Sequence, residues 1–218
     1  MRRALATGFV ALVTLAGCGN AEPAPPAPVA ASSPSPAEHG SLARIYAALA
    51  SSGTDYQPAA STLALARRSG LVAEGVATGV RAGRSIGDPE LGLPPRTTVL
   101  LEVAVDRAHR GPRQQRVMVE LPGEGLTAAQ FAAALPDRMR VVVYGKPAAR
   151  PDVGEKVLAT SPEWRSAGQV WQPVNPQGLL FGYSAEVIAP LDDRRFPGVP
   201  LTAFRPSAKP YPAGQPAA

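Results

Sequence analysis

Apolar and polar positions alternate most regularly over 97–107. Val99, Leu101, Val103 and Val105 share one face there, set between Thr98, Leu100, Glu102, Ala104 and Asp106. A period of two predicts a half-buried strand. The same period runs through 71–81, where Val72, Glu74, Val76, Thr78 and Val80 face away from the small residues Ala73, Gly75, Ala77 and Gly79. Glycine inside a strand permits sharp curvature or close backbone approach, so this strand is expected to bend. Residues 82–96, with Gly87, Asp88, Pro89, Pro94 and Pro95, predict a loop. Gly111 and Pro112 mark a turn over 109–115, and Val117, Val119 and Leu121 give a strand over 116–121.

Helical spacing replaces the period of two in three places. Leu42, Ile45, Tyr46 and Leu49 follow Ser41 and predict a helix over 42–50. Residues 63–68 fit a helical turn or an irregular piece. Thr127 and Gln130 match a capping box, and Leu126 and Phe131 the hydrophobic staple that goes with it, so a helix is expected over 128–135, ending at Pro136. Val141, Val142 and Val143 then predict a short buried strand over 140–144. Further strands are expected at 169–172, 179–181 and 186–189, the last two joined through Gly182, Tyr183 and Ser184, with an edge strand over 199–204.

The resulting fold class is mainly β, α+β by count: a small curved β-barrel with a helix between its third and fourth strands and a helix at its N-terminal side. That order resembles the OB-fold, a five-stranded Greek-key barrel, and a generic small β-barrel or a two-layer α+β domain fits the same pattern nearly as well. Residues 41–205 are expected to form one globular domain. The stretch 21–36 is rich in Ala, Pro and Ser, a composition that buries too little apolar surface to order itself. Residues 18–40 are therefore expected to be a disordered tether, extended at about 3.1 Å per residue where proline dominates. Residues 206–218 have the same character and are expected to be a frayed tail.

The first twenty residues change the picture most. Arg2 and Arg3 precede an apolar run over 4–16, too short for a membrane span of about 20 residues, and the run ends at Leu15-Ala16-Gly17-Cys18. This stretch resembles the lipobox of bacterial lipoproteins. The resemblance implies a signal peptide over 1–17, cleavage before Cys18, a lipid on its thiol and a position outside the cytoplasm. The general look is also similar to lipoproteins of actinobacteria, which implies location and no activity. The chain has 218 residues, a formal charge of +5 and a single cysteine. Loss of Arg2 and Arg3 with the signal takes that charge to +3. Arginine far outnumbers lysine, and Ala, Pro and Gly abound, as in high-GC bacteria, so the positive balance does not by itself point to nucleic acid. With Cys18 lipidated no thiol remains for a disulfide or a thiolate metal site. No cofactor and no metal are expected.

Candidate chemistry is thin. Gly83-Arg84-Ser85-Ile86-Gly87 matches G-x-S-x-G, and Asp106 and His109 follow in the chain order of a hydrolase triad. That elbow needs a helix after the serine, which the prolines and glycines of 88–95 oppose. A glycine-rich loop is the plainer reading. His109 is expected in a hairpin tip among Arg107, Arg110, Arg113 and Arg116, which favour its neutral form. Asp192 and Asp193 offer oxygen ligands to a hard cation, but followed directly by Arg194 and Arg195 they fit a solvated turn better. The four hairpin arginines concentrate positive charge, which suits anionic lipid or anionic wall polymer. In an arginine-rich chain they also fit a plain solvated loop. Trp164 and Trp171, with Phe181 and Tyr183, fit either a binding groove or the core.

These readings predict a lipid-anchored binding or structural module of the cell envelope. Its expected partners are the membrane, through Cys18, and an anionic lipid, wall polymer or envelope protein. The alternatives are an envelope serine hydrolase using Ser85 and an OB-type oligonucleotide binder. The export signal argues against nucleic acid as a partner.

Overall fold

Strands β1 (Leu71–Asp88) and β2 (Leu93–Arg110) form one long antiparallel hairpin, on which the remaining elements are assembled. The computed structural model describes residues 43, 45, 49, 56–123, 125–148, 155–183 and 186–216, all within one unit, Ser32–Ala218. Cys18, the tether and most of the helix expected over 42–50 lie outside the described residues. Ala43, Ile45 and Leu49 are helical, and Ile45 and Leu49 are buried. No described helix is long and apolar enough to cross a membrane.

The chain enters through α1 (Thr62–Arg68), where the Ser61 hydroxyl accepts from the Ala64 amide at 3.1 Å. After the hairpin come β3 (Arg116–Pro122), α2 (Ala128–Ala134), β4 (Arg140–Pro147), β5 (Lys156–Thr160), α3 (Pro162–Ser166) and β6 (Val170–Pro173). Strands β7 (Leu179–Tyr183), β8 (Glu186–Ala189), β9 (Arg194–Pro197) and β10 (Gln215–Pro216) complete the sheet. The fold is mainly β. Strand pairing closes a ring in the order β1, β2, β3, β6, β4 and back to β1. Every pair in the ring is antiparallel except β3 with β6, which pair through Met118–Val170 and Val119–Trp171. On the far side of β4 the sheet continues through β7, β8, β9 and β10.

Register explains which residues fill the ring. Val99, Leu101 and Val103 of β2 and Val117, Val119 and Leu121 of β3 join one buried cluster, as their alternation predicts. In β1 it is the face of small residues that points into the ring at the start of the strand. Leu71, Ala73 and Ala77 belong to the interior cluster, whereas Val72 packs in a second cluster outside the ring and Glu74 shares its face. Small interior residues let the strands approach closely: a Cβ at Gly75 would lie 2.0 Å from the Ala104 carbonyl oxygen. A bulge between Ala77 and Gly79 then shifts the register, so that Val80 also packs against the interior cluster. Phe131 and Ala134 of α2 enter this cluster, and the capping box at Thr127 and Gln130 is formed in both directions.

The second cluster lies on the other face of β4. Val141 and Val143 point into the ring, and Val142 and Tyr144 point away from it. Both faces are covered, which is why this strand has consecutive apolar residues.

Three expectations are corrected. The loop expected over 82–96 is mostly strand, because β1 and β2 pair beyond it and β5 adds to β1 through Arg84–Thr160 to Gly87–Lys156. The turn itself is the 3-10 segment Pro89–Leu91, closed by Gly92 at φ 74°. The edge strand expected over 199–204 is a 3-10 turn, Leu201–Phe204, and the strand lies earlier, at β9. Residues 206–216 are packed and not frayed. The Leu63 amide donates to the Ser207 carbonyl, Tyr211 meets the rings of Phe196 and Phe204 edge-on at 6.1 and 5.5 Å, and β10 pairs with β9.

Candidate functional site

The β2–β3 hairpin keeps its four arginines at the surface. Arg107, Arg110, Arg113 and Arg116 are all exposed. Arg116 gives its guanidinium to Glu102 at 3.0 Å, shared with Arg81 at 2.6 Å. The Arg116 hydrogen bond is the largest cause holding the Glu102 carboxyl below its usual range, with Arg81 adding to it. Among the described residues, no ion pair is formed by Arg107, Arg110 or Arg113.

His109 is not at the tip. It lies near the end of β2, mostly buried, with Nε2 3.6 Å from Glu74 Oε2. A carboxylate therefore faces it, and not only the hairpin arginines. That carboxylate is already bound: Arg205 donates to it at 2.8 Å and Arg140 at 3.0 Å. The Arg205 hydrogen bond, with help from Arg140, holds the Glu74 carboxyl down at about 2 against the cost of burial. Asp106 is half exposed and accepts from Arg140 at 2.6 Å.

Ser85, Asp106 and His109 are not brought together. Ser85 is inside β1, opposite Thr97 of β2 and Ala159 of β5, whereas His109 is at the far end of the same ladder, beside Glu74. No α-helix follows the G-x-S-x-G residues; all five are in the strand, and only the 3-10 turn Pro89–Leu91 comes after it. The elbow geometry is absent because the glycines serve close strand pairing instead. A Cβ at Gly83 would lie 2.2 Å from Thr98 Oγ1.

The tryptophans divide. Trp171 is buried in the ring interior with Phe181. Trp164, on α3, lies outside the ring with its centroid 4.8 Å from the Arg84 guanidinium carbon. Arg84 makes a two-point contact with Glu120, at 2.8 Å to Oε1 and 2.5 Å to Oε2, and Thr98 Oγ1 donates to the same carboxylate at 2.8 Å. Both charged groups are buried, so their pairing is what makes the burial tolerable. The two tryptophans therefore sit in different surroundings.

Two features were not legible beforehand. Asp192 is buried and not part of a solvated turn: the Tyr56 hydroxyl donates to it, and Arg194 lies 3.4 Å away. Burial pushes its carboxyl up to about 6, with Arg194 opposing and Asp193 adding. A cavity of about 490 Å³ opens beside the start of β4, lined by Asp137, Arg138, Arg140, Tyr183, Glu186 and Leu201 among others. Both signs of charge line it, and no Ser, Cys or His is among its described lining residues. Among the described residues no three His, Cys, Asp or Glu side chains gather as a metal site.

Comparison of the chain with protein-family models, with curated proteins and with solved structures finds no match in any of the three.

Proposed function

We propose that this chain is a lipid-anchored module of the bacterial cell envelope, held outside the cytoplasm by Cys18, which binds through the surface of an OB-like barrel. The lipobox-like stretch Leu15-Ala16-Gly17-Cys18 supports the anchor. The ring order with its one parallel pair, and α2 between β3 and β4, support the OB-like barrel. The observation that carries the binding reading is the exposure of Arg107, Arg110 and Arg113 without carboxylate partners among the described residues, in a domain where buried carboxylates such as Glu74, Glu102 and Glu120 each hold an arginine. Guanidinium groups left in this state are suited to anionic partners.

An oligonucleotide is a poor fit to the same barrel. In OB-folds the second and third strands present the face for such ligands. Here β2 and β3 carry Glu102 and Glu120, carboxylates already engaged by arginines.

Replacing Cys18 tests the anchor. In a bacterial host, Cys18→Ala should abolish labelling by a palmitate analogue and shift the chain out of the processed membrane-bound form. Undiminished labelling would remove the basis for the envelope location.

A further inference from the structure

Three basic segments that are far apart in sequence meet at Gly70. The Gly70 amide donates to the Gly145 carbonyl at 2.8 Å, next to Lys146 of β4. Gly111, at φ 89° in the β2–β3 turn, lies so close that a Cβ there would be 2.5 Å from the Gly70 carbonyl oxygen. Arg67 and Arg68 end α1 two to three residues before Gly70. This brings Arg67, Arg68, Arg110, Arg113 and Lys146 to one end of the ring, all exposed. Residues 56–73, 107–119 and 140–148 contain no Asp or Glu. None of the five cations pairs with a carboxylate among the described residues, and Arg68 donates only to the Gln57 carbonyl.

We infer that this end of the barrel, Arg67, Arg68, Arg110, Arg113 and Lys146 around Gly70, is a docking face for the anionic headgroups of a lipid bilayer. The inference rests on the lipid-anchor reading, which keeps the domain beside such a surface. The cations come from the end of α1, the β2–β3 connection and the end of β4, at one end of the barrel, and not from the walls of a groove that would track a linear polymer. The cavity lies at Arg138 and Tyr183, by the start of β4, whereas Lys146 is at its end. Contact with the bilayer here would leave the other end of the β1–β2 hairpin, at Leu91 and Leu93, pointing away from it. The lipid supplies attachment, and the basic end supplies orientation.

The test uses the full chain carrying Cys18→Ser, which takes no lipid, sedimented with vesicles of phosphatidylcholine alone or with an equal part of phosphatidylglycerol. Retention on the mixed vesicles should exceed that on the neutral ones and fall as salt rises. Each cation near an anionic surface contributes attraction worth about fivefold in binding, so replacing Arg67, Arg110 and Arg113 by Ser should weaken the anionic component about 100-fold. The Arg→Lys version of the same triple should retain it, as should a control in which Arg96 and Lys156, near the other end of the hairpin, become Ser. Circular dichroism checks that each variant folds. A Ser triple that keeps the parent's preference for phosphatidylglycerol would overturn the inference. So would retention of the chain on a glycerol-phosphate polymer with none on vesicles. Palmitate labelling of the unmodified chain reads the anchor separately, so loss of the anchor and loss of the docking face give different results.

Discussion

Two buried carboxylates push the stability of this domain in opposite directions as pH changes. Glu74 is held at about 2 by Arg205 and Arg140, below its ordinary 4.5. Its ionised form favours the fold, so its contribution is present above pH 4.5 and is lost as pH falls toward 2. Asp192 is raised from 3.8 to about 6 by burial. Its protonated form favours the fold, so its contribution is lost as pH rises from 3.8 to about 6. Asp192→Asn should remove that second slope and raise the melting temperature relative to the parent above pH 6. Equal differences between parent and variant at all pH values would contradict it. Neither group was legible in the sequence. Glu74 looked like the polar member of an alternating strand, yet the arginine that covers it is 131 residues away. A lone carboxylate in a strand gives no sign of such a distant partner.

Elements whose signals are local were legible. The strand at 97–107 was found because its alternation matches one buried face, and α2 because its capping box and staple lie within a few residues. Elements that depend on a distant neighbour were not. β5 has almost no buried side chain to create a pattern and exists as an edge paired with β1. The segment after Arg205 is proline-rich and polar in composition, but Tyr211 packs on Phe196 and Phe204. Removing a ring from a packed aromatic group costs several kcal/mol when fully buried. Tyr211 is half-buried, so Tyr211→Ala should cost about 1–3 kcal/mol, seen as a lowered denaturant midpoint with an unchanged slope. A variant that unfolds at the parent's midpoint would show that this segment contributes nothing to the domain.

At the scale of the whole molecule, the β1–β2 hairpin separates two chemical characters. Cations with no carboxylate partner among the described residues gather at the Gly70 end. At the other end are the exposed large apolar residues found among the described residues: Leu91, Leu93, Val157 and Leu158. The hairpin arginines were legible as a charge cluster, but Arg67, Arg68 and Lys146 joined them only through the close packing at Gly70 and Gly111. The polarity has meaning for function if the chain is held at a membrane, which makes lipid on Cys18 the central claim. The intact mass of the chain extracted from a bacterial membrane fraction tests it most directly. Lipidation predicts a polypeptide beginning at Cys18 with the added mass of a diacylglycerol; a chain with a free Cys18 thiol, or one beginning at any other residue, would contradict it.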